Sequence, residues 1–169
     1  MQEPGLSRVF RGVAMYLQML QEYEEGADLV VQAVKGVPKD VMEAVPGPDR
    51  WSIHEMLVHL CDSEIVASDR IRRALAEDNA TVQVYDEEEW ARRLDYTERD
   101  PELALELVVT LRKVNVELLA NIRRKDWLRT AIHSERGPLT VGDYVQTYIG
   151  HVTYHVEQIN RIKKEHGIG

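Results

Sequence analysis

Three histidines carry the chemistry this sequence offers. His59 lies in the segment WSIHEMLVHLCDSE, and His151 and His155 lie much later, in GHVTYHVEQINRI. Two residues at i and i+4 of a helix share one face, about 6 Å apart along the axis with about 40° of rotation between them. A third imidazole from a neighbouring helix closes a three-nitrogen set. Such a set leaves coordination positions open, as catalytic metals require and closed structural zinc sites do not allow. Imidazole suits zinc, nickel, copper and iron alike. The competing reading is three histidines hydrogen-bonded in the core or at the surface, with no ion. Residue spacing leaves both open.

The neighbours refine the reading. Val152 follows His151, where a zincin carries the glutamate that serves as general base. Asp62 is one helical turn after His59 and is the candidate to orient that imidazole or act on a bound water; Glu64 is a weaker one. The competing reading for Asp62 is an exposed helix carboxylate. His54 points about 140° away from His59 around the same helix, so it is not expected to be a ligand. His166 falls in the terminal turn. His133 lies in a loop and could line a pocket mouth. Trp51, Trp90 and Trp127 read as packing anchors. The single cysteine, Cys61, excludes an internal disulfide and reads as a core residue.

The elements that must position these groups are helices. Apolar residues recur at three and four rather than two. Leu6, Val9, Phe10, Val13, Leu17 and Leu20 trace a face through roughly 6–34, with Gly26 expected to loosen it. Gly36, Pro38, Pro46, Gly47 and Pro48 mark a long connection. Ser52-Ile53-His54-Glu55 matches a capping box opening a second helix that runs to about Ala76. A short helix is expected over 86–94. Asp100-Pro101 opens a third long helix, to about Arg124. The segment 125–139 reads as irregular, broken by Gly137-Pro138. Thr140–Asp143 is a second capping box, and the helix it opens runs to about Glu165, with Gly167 as its stop. Four long amphipathic segments with no convincing strand pattern predict an all-α, four-helix bundle spanning 1–169 as one domain. Its long connections permit crossovers.

Composition bounds the partners. A net charge of −8, with six acidic side chains in 78–95 and no basic stripe, disfavours nucleic acid and anionic lipid. No apolar run is long enough to span a bilayer and no secretory signal pattern opens the chain, so a cytoplasmic location is expected. Leu107, Leu111, Val114 and Leu118 exceed one narrow seam, and a homodimer is expected.

These motifs together resemble the DinB/YfiT-like superfamily, the bacterial damage-inducible helical bundles rather than the polymerase of that name. The resemblance rests on Trp51-Ser52 through Glu55 and His59-Leu60, and on Gly137-Pro138-Leu139-Thr140. It also rests on His151 through His155, followed by Gln158-Ile159. It implies a divalent metal, zinc or nickel, held by His59, His151 and His155, with water or a small-molecule substrate in the open positions. Characterised relatives include S-transferases and an isomerase that use a low-molecular-weight thiol. The resemblance therefore implies either thiol transfer or hydrolysis of a small substrate. The alternative is a non-catalytic metal-binding stress-response protein.

Overall fold

Three of the four long helices begin where a polar side chain satisfies their first free N–H groups. The computed structural model describes residues 4–48 and 50–168; the side chains of Leu6, Val9, Phe10 and Val13 lie outside the described residues. In chain order the elements are α1 (Pro4–Val34), α2 (Lys39–Met42), α3 (Ile53–Ala76), β1 (Thr81–Val82), α4 (Glu87–Arg93) and α5 (Pro101–Ala120). A 3₁₀ turn (Arg124–Leu128), β2 (Thr130–His133), β3 (Gly137–Thr140) and α6 (Val141–Glu165) follow. The Ser52 box is complete: the Glu55 amide donates to Ser52 Oγ at 3.2 Å, and the Ser52 amide donates to Glu55 Oε2 at 2.9 Å. Thr140 and Asp143 repeat this at the start of α6. Asp100 caps α5 ahead of Pro101. Each such cap is worth about 1 kcal/mol.

Helices α1, α3, α5 and α6 form the bundle. Helix α3 packs on α5 and α6, and α1 packs on the same two, so α1 and α3 lie diagonally. The long 35–52 connection provides that crossover. The structure departs from the sequence reading after α5. The segment expected to be irregular holds the 3₁₀ turn and a hairpin, and β1 joins it in a three-stranded sheet of order β1-β2-β3. Strand β1 runs parallel to β2, and β2 antiparallel to β3. Strands of two to four residues are too short to show a period of two, which is why pattern missed them. Gly137 adopts φ 75° where the hairpin turn ends. Strand β3 then feeds directly into the Thr140 cap, fixing where α6 and its histidines begin.

Four helices meet on one buried cation. Arg112 of α5, fully buried, donates to Glu64 of α3 at 2.8 and 2.6 Å, to the Tyr23 carbonyl of α1 at 2.7 Å and to the Tyr148 carbonyl of α6 at 2.8 Å. The Tyr23 hydroxyl donates to the other Glu64 oxygen at 2.7 Å. Gly26 does not loosen α1. A Cβ there would collide with the Arg112 guanidinium, so glycine makes room for the ion pair.

Candidate metal centre

Helices α3 and α6 pack side by side, and this contact brings the three histidines together. His59 is fully buried and His155 nearly so. Their Nε2 atoms converge: His59 to His151 is 3.0 Å and His155 to His151 is 3.1 Å. All three candidate ligand atoms lie within 4.8 Å of one another. A zinc-type ion bound by three tetrahedrally disposed nitrogens at ~2.0–2.1 Å would hold those nitrogens about 3.3 Å apart. The protein's spacing fits that geometry. His59 Nδ1 is buried with no hydrogen-bond partner among the described residues, so that nitrogen has lost its water with no replacement among them.

Electrostatics keeps the cluster uncharged. Burial first, then repulsion among the imidazoles, lowers the His59 pKa to about 2. Burial also lowers His151 to about 3 and His155 to about 4. Three neutral imidazoles with converging lone pairs are the protonation state a divalent cation needs.

The surroundings were largely unreadable from spacing. Ser63 Oγ lies 3.3 Å from His151 Nδ1, the outer nitrogen. It is one turn beyond His59, at i+4, on the same face of α3. Tyr85, in the loop before α4, lies against Arg70 of α3, whose guanidinium carbon is 6.0 Å from the ring centre. Trp51 does more than anchor the core. Its ring lies 4.6 Å from that of His59 and stacks on that of His155 at 6.4 Å, shielding both from water. Trp127 behaves as a packing anchor, stacked on Tyr16. A cleft of about 200 Å³ opens beside His155, with Arg50, Trp51, Met56, Glu87, Tyr154 and Gln158 in its walls. Glu87 Oε2 reaches within 3.9 Å of His59 Nε2.

Asp62 does not orient His59. Its carboxylate is buried, but it faces the other way, accepting from the Tyr96 hydroxyl at 2.8 Å and from Arg99 at 3.0 and 2.9 Å. Three residues on a helix turn a side chain 60° short of a full circle, and that offset points Asp62 at the segment between α4 and α5. Glu64 is consumed by Arg112. His54 donates to the Arg99 carbonyl at 2.7 Å, and His133 sits buried at the end of β2, where its Nδ1 accepts from the Glu135 amide. Neither approaches the cluster.

Comparison with known proteins agrees with this architecture. The DinB superfamily model matches residues 22–159. A protein of Oceanobacillus iheyensis is 28% identical over 147 residues, covering 87% of this chain and 85% of its own. One from Bacillus cereus is 26% identical over 152 residues, covering 83% and 87%. Both bear names that propose a metal-dependent hydrolase. Among solved structures, YfiT from Bacillus subtilis, described as "a probable metal-dependent hydrolase with an unusual four-helix bundle topology", superposes with a TM-score of 0.85. The match is at 22% identity over 91% of this chain and 89% of that one, a likeness of fold. With a family model spanning most of the bundle, from the middle of α1 almost to the end of α6, the chain belongs to the DinB superfamily.

Proposed function

We propose that this protein is a metal-dependent hydrolase of a small molecule, with His59, His151 and His155 holding a divalent cation, zinc or nickel. The observation that carries the reading is the convergence of three neutral, desolvated Nε2 atoms beside an open cleft. A cation held there would polarise a substrate oxygen and lower the pKa of a bound water or thiol. The chain's own residues do the rest. Ser63 fixes the ring of His151 through its outer nitrogen. Trp51 closes one side of the cluster against solvent and leaves the cleft as the approach. A space of about 200 Å³ admits a compact substrate, not a polymer. The same chemistry would activate a low-molecular-weight thiol, the reading the family resemblance adds. The names of two relatives favour hydrolysis.

The test is elemental analysis of untagged protein, then turnover assays before and after chelation. One arm presents small esters, amides and phosphoesters; the other presents a low-molecular-weight thiol with an electrophile. Hydrolysis lost on chelation and restored by the native ion is the expected result. Full activity in exhaustively metal-free protein would sink the reading, and metal-dependent turnover only in the thiol arm would replace hydrolysis with transfer.

A further inference from the structure

We infer that Glu87 is a fourth protein ligand of the divalent cation, a carboxylate that α4 delivers to the open side of the three-histidine cluster. The inference rests on the metal-centre reading above and extends it to an element no histidine occupies. Among the described residues, Glu87 alone of the carboxylates comes within 4.0 Å of one of the three imidazoles, at 3.9 Å from His59 Nε2. That separation exceeds a hydrogen bond. The Glu87 carboxylate stands outside the set of nitrogens that lie within 4.8 Å of one another, and its side chain swings inward to reach the ~3.3 Å expected between two ligands of one tetrahedral ion. A dication between the two side chains would compensate the Glu87 carboxylate at the wall of the cleft.

The fold builds this approach. Asp86 caps α4 by accepting from the Glu89 amide at 2.9 Å, which places Glu87 at the first helical position. Past α4 the chain is clamped to α3 by Tyr96 and Arg99 on Asp62 and by His54 on the Arg99 carbonyl. Before α4, Arg70 of the same helix donates to the Gln83 carbonyl at 2.6 Å. Both ends of the segment are thus fastened to the helix that carries His59. Asp62 is a positioning residue for Glu87 rather than for the imidazole. The Glu87 side chain remains 57% exposed, so its carboxylate has room to close the last distance. Zinc sites expand to five neighbours, which keeps a position for substrate beside four protein ligands.

The experiment titrates the full chain with cobalt(II) and zinc against a chromophoric chelator and records the cobalt d–d spectrum. It compares wild type with Glu87→Gln, Glu88→Gln and His151→Ala. Glu87→Gln should weaken binding about tenfold or more and shift the cobalt bands, as loss of an anionic ligand requires. Glu88→Gln, which lines the same cleft without touching an imidazole, should stay within about twofold of wild type. Urea unfolding of the metal-free forms checks that neither glutamine variant changes the fold. Weaker binding with an unchanged spectrum would show a distant charge effect and overturn ligation. Unchanged binding would overturn it as well. A wild type that binds cation and loses it in His151→Ala, but not in Glu87→Gln, removes this inference alone. A wild type that binds neither ion removes the metal centre with it.

Discussion

At the residue scale, the decisive feature is which nitrogen of each histidine faces inward. Nε2 of all three points into the cluster, leaving Nδ1 to the protein, and among the described residues only His151 finds a hydroxyl there, that of Ser63. The three ligands are therefore expected to contribute unequally to their outer support but equally to the ion. Replacing any one of His59, His151 or His155 by alanine should weaken zinc binding by more than about a hundredfold, beyond the ~10–100-fold typical of losing an outer partner. Ser63→Ala belongs to that smaller class and should cost about tenfold. His54→Ala and His133→Ala should leave affinity unchanged, since both side chains are committed elsewhere. Chelator competition measures all six. Stoichiometric zinc retained by His151→Ala/His155→Ala protein would refute the assignment.

At the element scale, two polar clamps hold the helices in the arrangement the centre needs. One is Asp62 with Tyr96 and Arg99, half-open to solvent on the Arg99 side. Asp62→Asn should cost about 2 kcal/mol in urea unfolding, the usual range for bonds to a charged group, and should loosen the segment carrying α4. Hydrogen exchange across 86–100 would register that loosening; unchanged protection there would reject the clamp. The other is Glu64 with Arg112 in the bundle centre. Arg112→Met leaves a buried carboxylate without its cation and should cost about 3–5 kcal/mol. Replacing Glu64 as well with an apolar side chain should recover much of it. Gly26→Ala drives a methyl into the guanidinium and should destabilise by about 1–3 kcal/mol. Chemical denaturation of this series tests whether Gly26 is there for Arg112. If so, Gly26→Ala should become nearly neutral once Arg112 is methionine.

At the scale of the whole molecule, the buried imidazoles link stability to pH. In the folded, metal-free protein their pKa values lie at about 2, 3 and 4, against about 6.5 in the unfolded chain. The unfolded state therefore binds more protons at any pH below about 6.5, and stability falls as pH drops from there toward the folded values. Each histidine contributes up to about 1.4 kcal/mol per pH unit in that window. Urea midpoints should be flat above about pH 7 and decline steeply by about pH 5.5. The triple variant His59→Phe/His151→Phe/His155→Phe should lose most of that slope if it folds. His155→Phe alone should lose about a third. A slope indifferent to these changes would place the acid sensitivity elsewhere. Bound zinc, absent from the unfolded state, should raise the midpoint with the logarithm of its free concentration above Kd. Self-association is expected along α5, where Leu103, Leu107 and Val114 stay exposed. Light scattering should give a dimer that Leu107→Glu/Val114→Glu converts to monomer; a monomeric wild type across micromolar concentrations would reject it. No helix among the described residues is long and apolar enough to cross a membrane.

The sequence by itself determined what depends on neighbours within a helical turn or two. The boxes at Ser52 and Thr140, the Asp100-Pro101 start and the Gly167 stop are local hydrogen-bond chemistry. The structure shows each where spacing put it. The same periodicity placed His151 and His155 on one face and His59 on a core-facing stripe. Only the tertiary structure decided what meets across the bundle. His59 and His151 are 92 residues apart, and no local pattern encodes a 3.0 Å approach between them. Family resemblance, not periodicity, paired them in advance. Asp62 misled because a turn-away carboxylate has several directions open to it, and packing chose Arg99. Glu87 was hidden in an acidic run that reads as a solvated face, since composition says nothing of where a loop is tied down. Gly26 read as a weak point because its reason, Arg112, lies on another helix. Local structure is encoded by short-range sterics and hydrogen bonds. A site is encoded by packing, which sums weak contacts over the whole chain.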